Sequence, residues 1–327
     1  MRTIIVLFLI FCQMTSFGQK ILYDIPDGFE KDISKVDYKK IVDISVQIVA
    51  ERYAIDIVKD GTIHLSKGQE MQAFNLDNLI LKCVAVTDKS KWNDVIQLHF
   101  RNMYSTIDAQ KEIDAANYET IKKYLSVRIY PSVFINERGG VSSFIVRSDL
   151  EGTYTLLMLD LPNAFTPVQK EIFDLWKKDP AEVFKIAISN IGIQQIEKVT
   201  KTVTYDKTNI EISFLGNEDY AASYALDLSN NSPELVGEWG SVLAIPNKGL
   251  VNVCKISKQR PVDFVKFIQM TKPLIEKSYL EHQQPISDQF FWYYKDKFTR
   301  IDVRVDKNGN VNVISPFGLT ELMTEKN

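Results

Sequence analysis

The chain has 327 residues, of which 45% are hydrophobic and 25% are charged, so it can bury one or two sizeable cores. Its formal net charge is -3, and no cluster of lysines and arginines stands out. We therefore expect no nucleic-acid partner, because such binding needs a basic face that displaces counterions from the phosphates.

The first eighteen residues have the pattern of a secretory signal peptide. Arg2 supplies a positive charge, Ile4 to Phe11 is an apolar run, and Ser16 and Gly18 are small residues before a cleavage point. The apolar run is too short to span a bilayer, which needs about 20 apolar residues. We predict cleavage between Gly18 and Gln19 and an exported, soluble mature protein, periplasmic or extracellular, with no later membrane span.

Residues 19–125 are predicted to form an N-terminal α+β domain. Ser34 can cap a helix from about Val36 to Tyr53. The strict alternation of apolar residues over 42–48 also fits a strand, and the length of the segment favours the helix. A hairpin around an Asp-Gly turn and two further helices are predicted over 54–65, 76–86 and 91–104.

Residues 126–327 are predicted to form a C-terminal α+β domain of antiparallel sheets with helices packed on them. We predict a meander of three strands over 128–135, 141–147 and 153–160, helices starting at Thr166-Pro167 and at Asp179-Pro180, and a hairpin over 199–214. Next come a second hairpin, a helix from Pro261 that Pro273 should kink or split, and strands over 290–294, 298–305 and 311–314.

The stretch from Ser241 to Ile256 is expected to form the middle of the C-terminal sheet. Val242 to Ile245 is continuously apolar, as in a strand that is covered on both faces, and the chain is apolar again from Leu250. Pro246 and Gly249 supply the backbone angles that a connecting turn needs. We therefore predict a buried hairpin.

Four short motifs, in their order along the chain, carry a resemblance to a known family. They are Phe74 to Leu79 before a helix, Pro131 in a strand, Tyr220-Ala221-Ala222-Ser223 with Leu226-Asp227-Leu228, and Gly240 to Ile256 with its Ile245-Pro246-Asn247 turn. Over roughly residues 35–300 this order resembles the YtpQ-like proteins, a bacterial family of unknown function. The chain departs from the family in its signal peptide and in Lys248 and Gly249, where the family tends to have an Arg-Asp pair. The resemblance implies no activity, cofactor or catalytic residue.

No recognisable metal or nucleotide site occurs in the sequence. His64, His99 and His282 are far apart, whereas a zinc site needs three or four ligands at a fixed geometry. The loop from Asp306 superficially suggests a calcium site, but Val311 stands where glycine is needed. Nucleophile-elbow and phosphate-loop motifs are also missing. We therefore expect no metal and no cofactor.

The mature chain would keep two cysteines, Cys83 and Cys254, both in apolar runs. An exported protein could join them in a disulfide. Free, buried thiols are the favoured interpretation, because a cysteine in such surroundings behaves as a small hydrophobic residue. Cys12 is not expected to carry a lipid, because it follows Ile10 and Phe11 rather than small residues.

Pairs of carboxylates could carry out acid–base catalysis, as in glycosidases. The candidates by proximity in sequence are Glu218 with Asp219, Asp149 with Glu151, and Glu234 with Glu238. Because the chain has 42 acidic residues, such pairs also arise by chance. A cell-envelope hydrolase with one such pair is therefore our second hypothesis.

Aromatic residues suggest a binding site. Trp239 lies in a loop that leads into the central hairpin, and loops often carry binding residues. The aromatic run over 290–294 is instead expected to fill the core. Our leading hypothesis is a non-catalytic binding or interaction module with an envelope or extracellular partner, and its candidate site residues are Tyr220, Tyr224, Trp239 and Asn247.

Overall fold

The computed structural model describes residues 20–69, 71–161 and 164–325. The chain divides into two compact units, one up to Ser105 and one from Thr106, whereas the predicted boundary was near residue 125. The predicted signal peptide and its cleavage point between Gly18 and Gln19 lie outside the described residues. No helix in the described ranges has the length and apolarity that a membrane crossing requires.

The first unit contains one small sheet and its helices, including a helix that continues past the division. Its elements are β1 (Lys20–Ile21), α1 (Lys35–Ala50), β2 (Ile55–Lys59), β3 (Thr62–Leu65), β4 (Ala73–Asn75), α2 (Asp77–Val84) and α3 (Trp92–Glu112). The sheet order is β1-β2-β3-β4, and every pair is antiparallel except β1 with β2. The predicted hairpin and helices are confirmed.

Helix α1 settles the conflict between the helical and the strand pattern. The Oγ of Ser34 accepts a hydrogen bond from the amide of Asp37 at 3.2 Å, so Ser34 is the N-cap. Tyr38, Ile41 and Val49 are fully buried, at the spacing of one helical face. The segment is a helix because burial follows this spacing rather than strict alternation.

The second unit contains two sheets and eight helices among the described residues. Its elements are α4 (Tyr118–Ile121), β5 (Leu125–Pro131), α5 (Ser132–Asn136), β6 (Val146–Arg147), β7 (Thr153–Leu161), β8 (Ala164–Pro167), α6 (Lys170–Trp176), α7 (Pro180–Gly192), β9 (Glu197–Tyr205), β10 (Thr208–Gly216), α8 (Ala221–Tyr224), α9 (Leu228–Asn231), β11 (Ser241–Asn247), β12 (Leu250–Lys255), α10 (Asp263–Glu281), β13 (Phe290–Tyr294), β14 (Lys297–Val305), β15 (Val311–Ile314) and α11 (Phe317–Thr324). The predicted α+β class, with antiparallel sheets and packed helices, is confirmed.

The larger sheet has the order β15-β14-β13-β11-β12-β10-β9, so the predicted hairpin of β11 and β12 lies at its middle. Leu243 and Ile245 face a core shared with α7 and the smaller sheet, and Val242 and Ala244 face a second core beneath α10. Both faces of β11 are therefore covered, as its continuous apolar run predicts.

The aromatic strand β13 fills the same two cores. Phe291 and Tyr293 belong to the core on one side, and Phe290 and Trp292 belong to the core beneath α10. All four side chains are buried. The expectation that this run is structural is confirmed.

The predicted meander is wrong in its pairing. β5 and β6 do not pair with each other, because both lie beside β7, and β8 also pairs with β7. Val141–Ser143 of the predicted strand form a short 3-10 helix, and only Val146 and Arg147 pair. Gly139 and Gly140 have φ of 100° and 71°, which breaks the extended chain before it can pair.

Two prolines were assigned wrongly, and a third does not split its helix. Pro167 is the last residue of β8 and pairs with Met158, so the helix begins later, at Lys170. Proline has no backbone N–H to donate, and an edge strand such as β8 tolerates this. Pro246 lies inside β11, between the paired residues Ala244 and Asn247 where the register shifts, and the turn is Lys248-Gly249. Pro273 lies within α10, which is one continuous helix.

Candidate functional site

Five polar side chains from distant parts of the second unit converge at one partly exposed place. They are Arg128 of β5, Asp160 of β7, Asp219 and Tyr220 of the loop after β10, and Lys248 of the turn between β11 and β12. We call this group the arginine cluster.

Two cations of the cluster share one carboxylate oxygen. Arg128 Nη2 lies 2.6 Å from Asp219 Oδ1, and Lys248 Nζ lies 3.1 Å from the same oxygen. The side chains of Arg128 and Lys248 are 11% and 18% exposed, whereas that of Asp219 is 44% exposed. The two cations are therefore held within the protein, and the carboxylate of Asp219 is the most exposed of these three groups.

Two asparagines hold the loops that carry these side chains. The Oδ1 of Asn217 accepts hydrogen bonds from the amides of Asp219 and Tyr220 at 2.9 and 3.0 Å. The Oδ1 of Asn247 accepts one from the amide of Gly249 at 3.0 Å, which closes the turn around Lys248. Asparagine favours such turns because its side chain can replace a backbone acceptor.

Aromatic rings line the cluster. The guanidinium of Arg128 lies 3.7 Å from the centroid of the Phe165 ring, a cation–π distance. Phe165 contacts Tyr220 edge to face, with centroids 5.5 Å apart. The hydroxyl of Tyr220 donates a hydrogen bond to Asp160 Oδ2 at 2.7 Å. The cluster therefore offers both charge and a partly buried aromatic wall.

The environment moves the pKa values of the two carboxyls in opposite directions. The pKa of Asp160 is raised, because the effect of burial outweighs the hydrogen bond from Tyr220 and the charge of Arg128, which both lower this pKa. Burial also acts to raise the pKa of Asp219, but the hydrogen bonds and charges of Lys248 and Arg128 outweigh it, and this pKa lies below its ordinary value. Burial, and then the bond to Asp160, raises the pKa of the Tyr220 hydroxyl.

A cavity of about 470 Å³ lies elsewhere in the second unit, beside the loop that contains Trp239. Its lining includes Glu234 and Glu238, which form one of the carboxylate pairs proposed from the sequence. Glu234 pairs with Lys198 at 3.2 Å, and Glu238 accepts a hydrogen bond from the amide of Lys258 at 3.0 Å. The pKa of Glu234 is lowered, first by its own backbone amide, so this residue is not prepared to act as a general acid.

Three of the other proposed carboxylates also have cationic partners. Asp149 pairs with Arg147 at 2.7 Å and Glu151 pairs with Arg300 at 2.8 Å, whereas Asp219 belongs to the arginine cluster. Ion pairs of this kind at a surface are ordinary structural features. They give no support to Asp149 and Glu151 as a catalytic pair.

The four residues predicted to bind have different places. Tyr220 is in the arginine cluster, and Asn247 is buried beside it in the turn that carries Lys248. Tyr224 is buried, and its hydroxyl donates to the carbonyl of Asn231. Trp239 is partly buried against the core beneath α10, and its carbonyl accepts a hydrogen bond from Trp292 Nε1. The structure therefore brings Tyr220 and Asn247 together and leaves Trp239 in another region.

Three members of the cluster, unlike Tyr220 and Asp219, were not proposed from the sequence as site residues of any kind. Arg128 interrupts the apolar run of β5, and Asp160 is a lone charge near the end of β7. A charged residue inside an otherwise apolar strand is a signal, because it must find a partner when the strand is buried. Lys248 carried no comparable signal, because charged residues are common in turns.

The surroundings of the cysteines and of His99 do not activate these groups for chemistry. Cys83 and Cys254 are free and buried, and burial raises their thiol pKa values to about 11 and about 12. Burial lowers the pKa of His99 to about 4. Within the described ranges, no group of three metal-ligating side chains is close enough to hold an ion.

Comparison of the chain with protein-family models, curated proteins and solved structures finds no match. The resemblance to the YtpQ-like family therefore stays a prediction.

Proposed function

We propose that this protein is an exported, soluble, non-catalytic binding module and that the arginine cluster is its ligand site. The observation that carries the proposal is the convergence of Arg128 and Lys248 on one half-exposed carboxylate oxygen, at 2.6 and 3.1 Å. Charged side chains held in place beside aromatic rings are the parts from which polar ligand sites are built.

A purely structural role explains the cluster less well. An ion pair that loses water on folding often contributes no more than apolar side chains of similar size would. The cluster nevertheless draws its five members from four separate segments, and two of these segments are loops. Since loops on a rigid scaffold are the usual place for binding residues, recognition is the better account of the arrangement.

Binding is favoured over catalysis by the state of the reactive groups. The raised thiol pKa values of Cys83 and Cys254 disfavour a thiolate nucleophile. Glu234 of the cavity is held in its charged form. These observations support a site that holds a ligand without transforming it.

A cell-envelope hydrolase is the second candidate, and one observation favours it. The pKa of Asp160 is raised and that of Asp219 is lowered within the same cluster. Opposite shifts of two neighbouring carboxyls are the pattern of an acid and a base in hydrolases. A ligand that is cleaved by the protein, but left intact by Asp160→Asn, would support this candidate.

Ligand capture from an envelope extract tests the proposal. Immobilised mature protein, Lys248→Met and the control Lys255→Met are each incubated with the extract, and bound molecules are identified by mass spectrometry. Both lysines lie on the central hairpin and pair with a carboxylate, but Lys255 pairs with Glu211, away from the cluster. We expect one class of molecule to be retained by the protein and the control and lost by Lys248→Met. Equal retention by all three proteins would exclude the cluster as the site.

A further inference from the structure

We infer that the arginine cluster binds a ligand with a single carboxylate attached to a flat apolar ring, and that this carboxylate takes the place of Asp219 on Arg128 and Lys248. The inference rests on the proposed function, because it names the ligand class of that site.

Asp219 contacts only one of the two nitrogens on the edge of the Arg128 guanidinium that a carboxylate can bind. Nη2 and Nε lie on the same edge of a guanidinium, and a carboxylate binds that edge best with both of its oxygens. In this structure Nη2 contacts Asp219 Oδ1, whereas Nε is buried with no hydrogen-bond partner among the described residues. A buried donor without a partner is costly, so a carboxylate that contacts both nitrogens would be favoured over Asp219.

Asp219 is the member of the cluster that can leave. Its side chain is 44% exposed and lies in a loop, whereas Arg128 extends from a sheet strand and rests on the Phe165 ring. Asp219 therefore resembles an internal substitute for the ligand: it shows that the site accepts a carboxylate oxygen, and it can move to water when a better carboxylate arrives.

Charge balance favours an anion with one negative charge. Arg128 and Lys248 carry two positive charges, and Asp219 compensates one of them. Asp160 lies nearby, where it accepts the hydrogen bond from Tyr220, and its carboxyl would repel additional negative charge when ionised. Replacing Asp219 with one carboxylate keeps the balance, whereas a doubly charged phosphate would upset it.

Aromatic side chains next to the cations can contact the rest of such a ligand. Tyr130 is two residues after Arg128 in β5, so both side chains lie on the same side of the smaller sheet. Tyr154 of β7 is paired with Tyr130, and both tyrosines are half-buried. Phe165 and Tyr220 are also half-buried. A flat ring attached to the carboxylate could stack on these side chains, as aromatic pairs do at about 4.5–7 Å between centroids.

Calorimetric titration with simple probes tests the inference. Benzoate has the charge and the ring, benzamide is its neutral analogue, acetate lacks the ring, and inorganic phosphate carries more charge. We expect benzoate to bind the mature protein at least about tenfold more tightly than each of the other three probes, since one charge-assisted contact is worth about that factor.

Variants of the full mature chain test the contacts of Asp219 and Lys248 one at a time. Asp219→Asn, which keeps the shape but removes the competing charge, should tighten benzoate binding about tenfold, because the ligand no longer displaces an ion pair. Lys248→Met should weaken it by a similar factor, and Lys255→Met should leave it unchanged. Near-ultraviolet circular dichroism confirms that each variant is folded.

Three results would overturn the inference: benzamide, acetate or phosphate binding as tightly as benzoate, an Asp219→Asn variant with unchanged benzoate affinity, or no binding of benzoate by that variant at millimolar concentration. The proposed function fails separately. If the extract yields a neutral or cationic ligand that depends on Lys248, the cluster remains the binding site and only the ligand class is wrong.

Discussion

Arg128 and Asp219, 91 positions apart in the chain, meet through an Nη2–Oδ1 contact of 2.6 Å. This contact links a strand of the smaller sheet to the loop that follows β10 of the larger sheet. Lys248 reaches the same oxygen from the turn of the central hairpin. The stability of the second unit and the ligand binding that we propose therefore involve the same carboxylate.

Removal of this carboxylate should destabilise the second unit. Asp219→Ala leaves the largely buried guanidinium of Arg128 without its ionic partner, so we expect the free energy of unfolding to fall by about 1–3 kcal/mol. Urea denaturation followed by tryptophan fluorescence measures the loss. Asp43→Ala, which removes the exposed contacts of Asp43 with Lys39 and Tyr23, should cost clearly less than Asp219→Ala. Equal losses in the two variants would contradict the structure.

Gly240 and Gly309 offer a matched test of close packing. Their φ angles are 81° and 82°, so alanine is strained to a similar degree at both positions. A Cβ at Gly240 would lie 2.1 Å from the carbonyl oxygen of Tyr293, whereas one at Gly309 would meet nothing within 4 Å. We expect Gly309→Ala to cost about 1 kcal/mol in the free energy of unfolding and Gly240→Ala several times more. Similar costs in thermal or urea unfolding would show that the loop at Gly240 is not closely packed.

The stability of the first unit should depend on pH through His99. Burial and the charge of Lys82 lower its pKa from 6.5 to about 4. Between these values the unfolded chain binds a proton that the folded chain does not, so the free energy of unfolding decreases as the pH falls through this window. Because the ring is partly exposed, the contribution should be on the order of 2 kcal/mol.

Urea denaturation at pH 7.5 and pH 5 checks this sign. The difference between the two pH values should shrink in His99→Leu, which has no imidazole to protonate. His64→Gln controls for the loss of a histidine in the same unit. An undiminished difference in His99→Leu would assign the pH dependence to other groups.

The cysteines should be unreactive in the native protein. Burial raises the pKa values of Cys83 and Cys254 to about 11 and about 12, so the thiolate that attacks a disulfide reagent is scarce at pH 8. We expect almost no reaction with Ellman's reagent until denaturant is added, and then two thiols per mature chain, which would lack Cys12. Fast reaction of either thiol in the native protein would contradict its burial.

Export can be tested on the protein that its own cells produce. The signal-peptide pattern predicts that the mature chain starts at Gln19, after cleavage behind Gly18. Mass spectrometry of the N-terminal peptide, from cell fractions, measures this directly. A chain that starts at Met1 in the cytoplasmic fraction would be inconsistent with export and with the envelope ligand proposed above.

Local signals in the sequence were sufficient for many elements. Asp179 followed by Pro180 predicted the start of α7, and the Asp179 side chain does accept a hydrogen bond from the amide of Ala181. The hairpin of β9 and β10 was also predicted, and Asp206 and Lys207 have the positive φ of its turn. Caps and tight turns are formed by residues that are close in sequence, so a few neighbouring positions are enough to predict them.

By itself the sequence determined the α+β class, the buried central hairpin and the structural role of the aromatic strand, because apolar periodicity reports how each segment is covered. Only the tertiary structure decided that β5 and β6 both pair with β7, and that Arg128, Asp219 and Lys248 meet at one oxygen. Strand order and ion pairing depend on contacts between distant segments. The free energy of such contacts comes from the packing of the whole unit, and no local pattern records it.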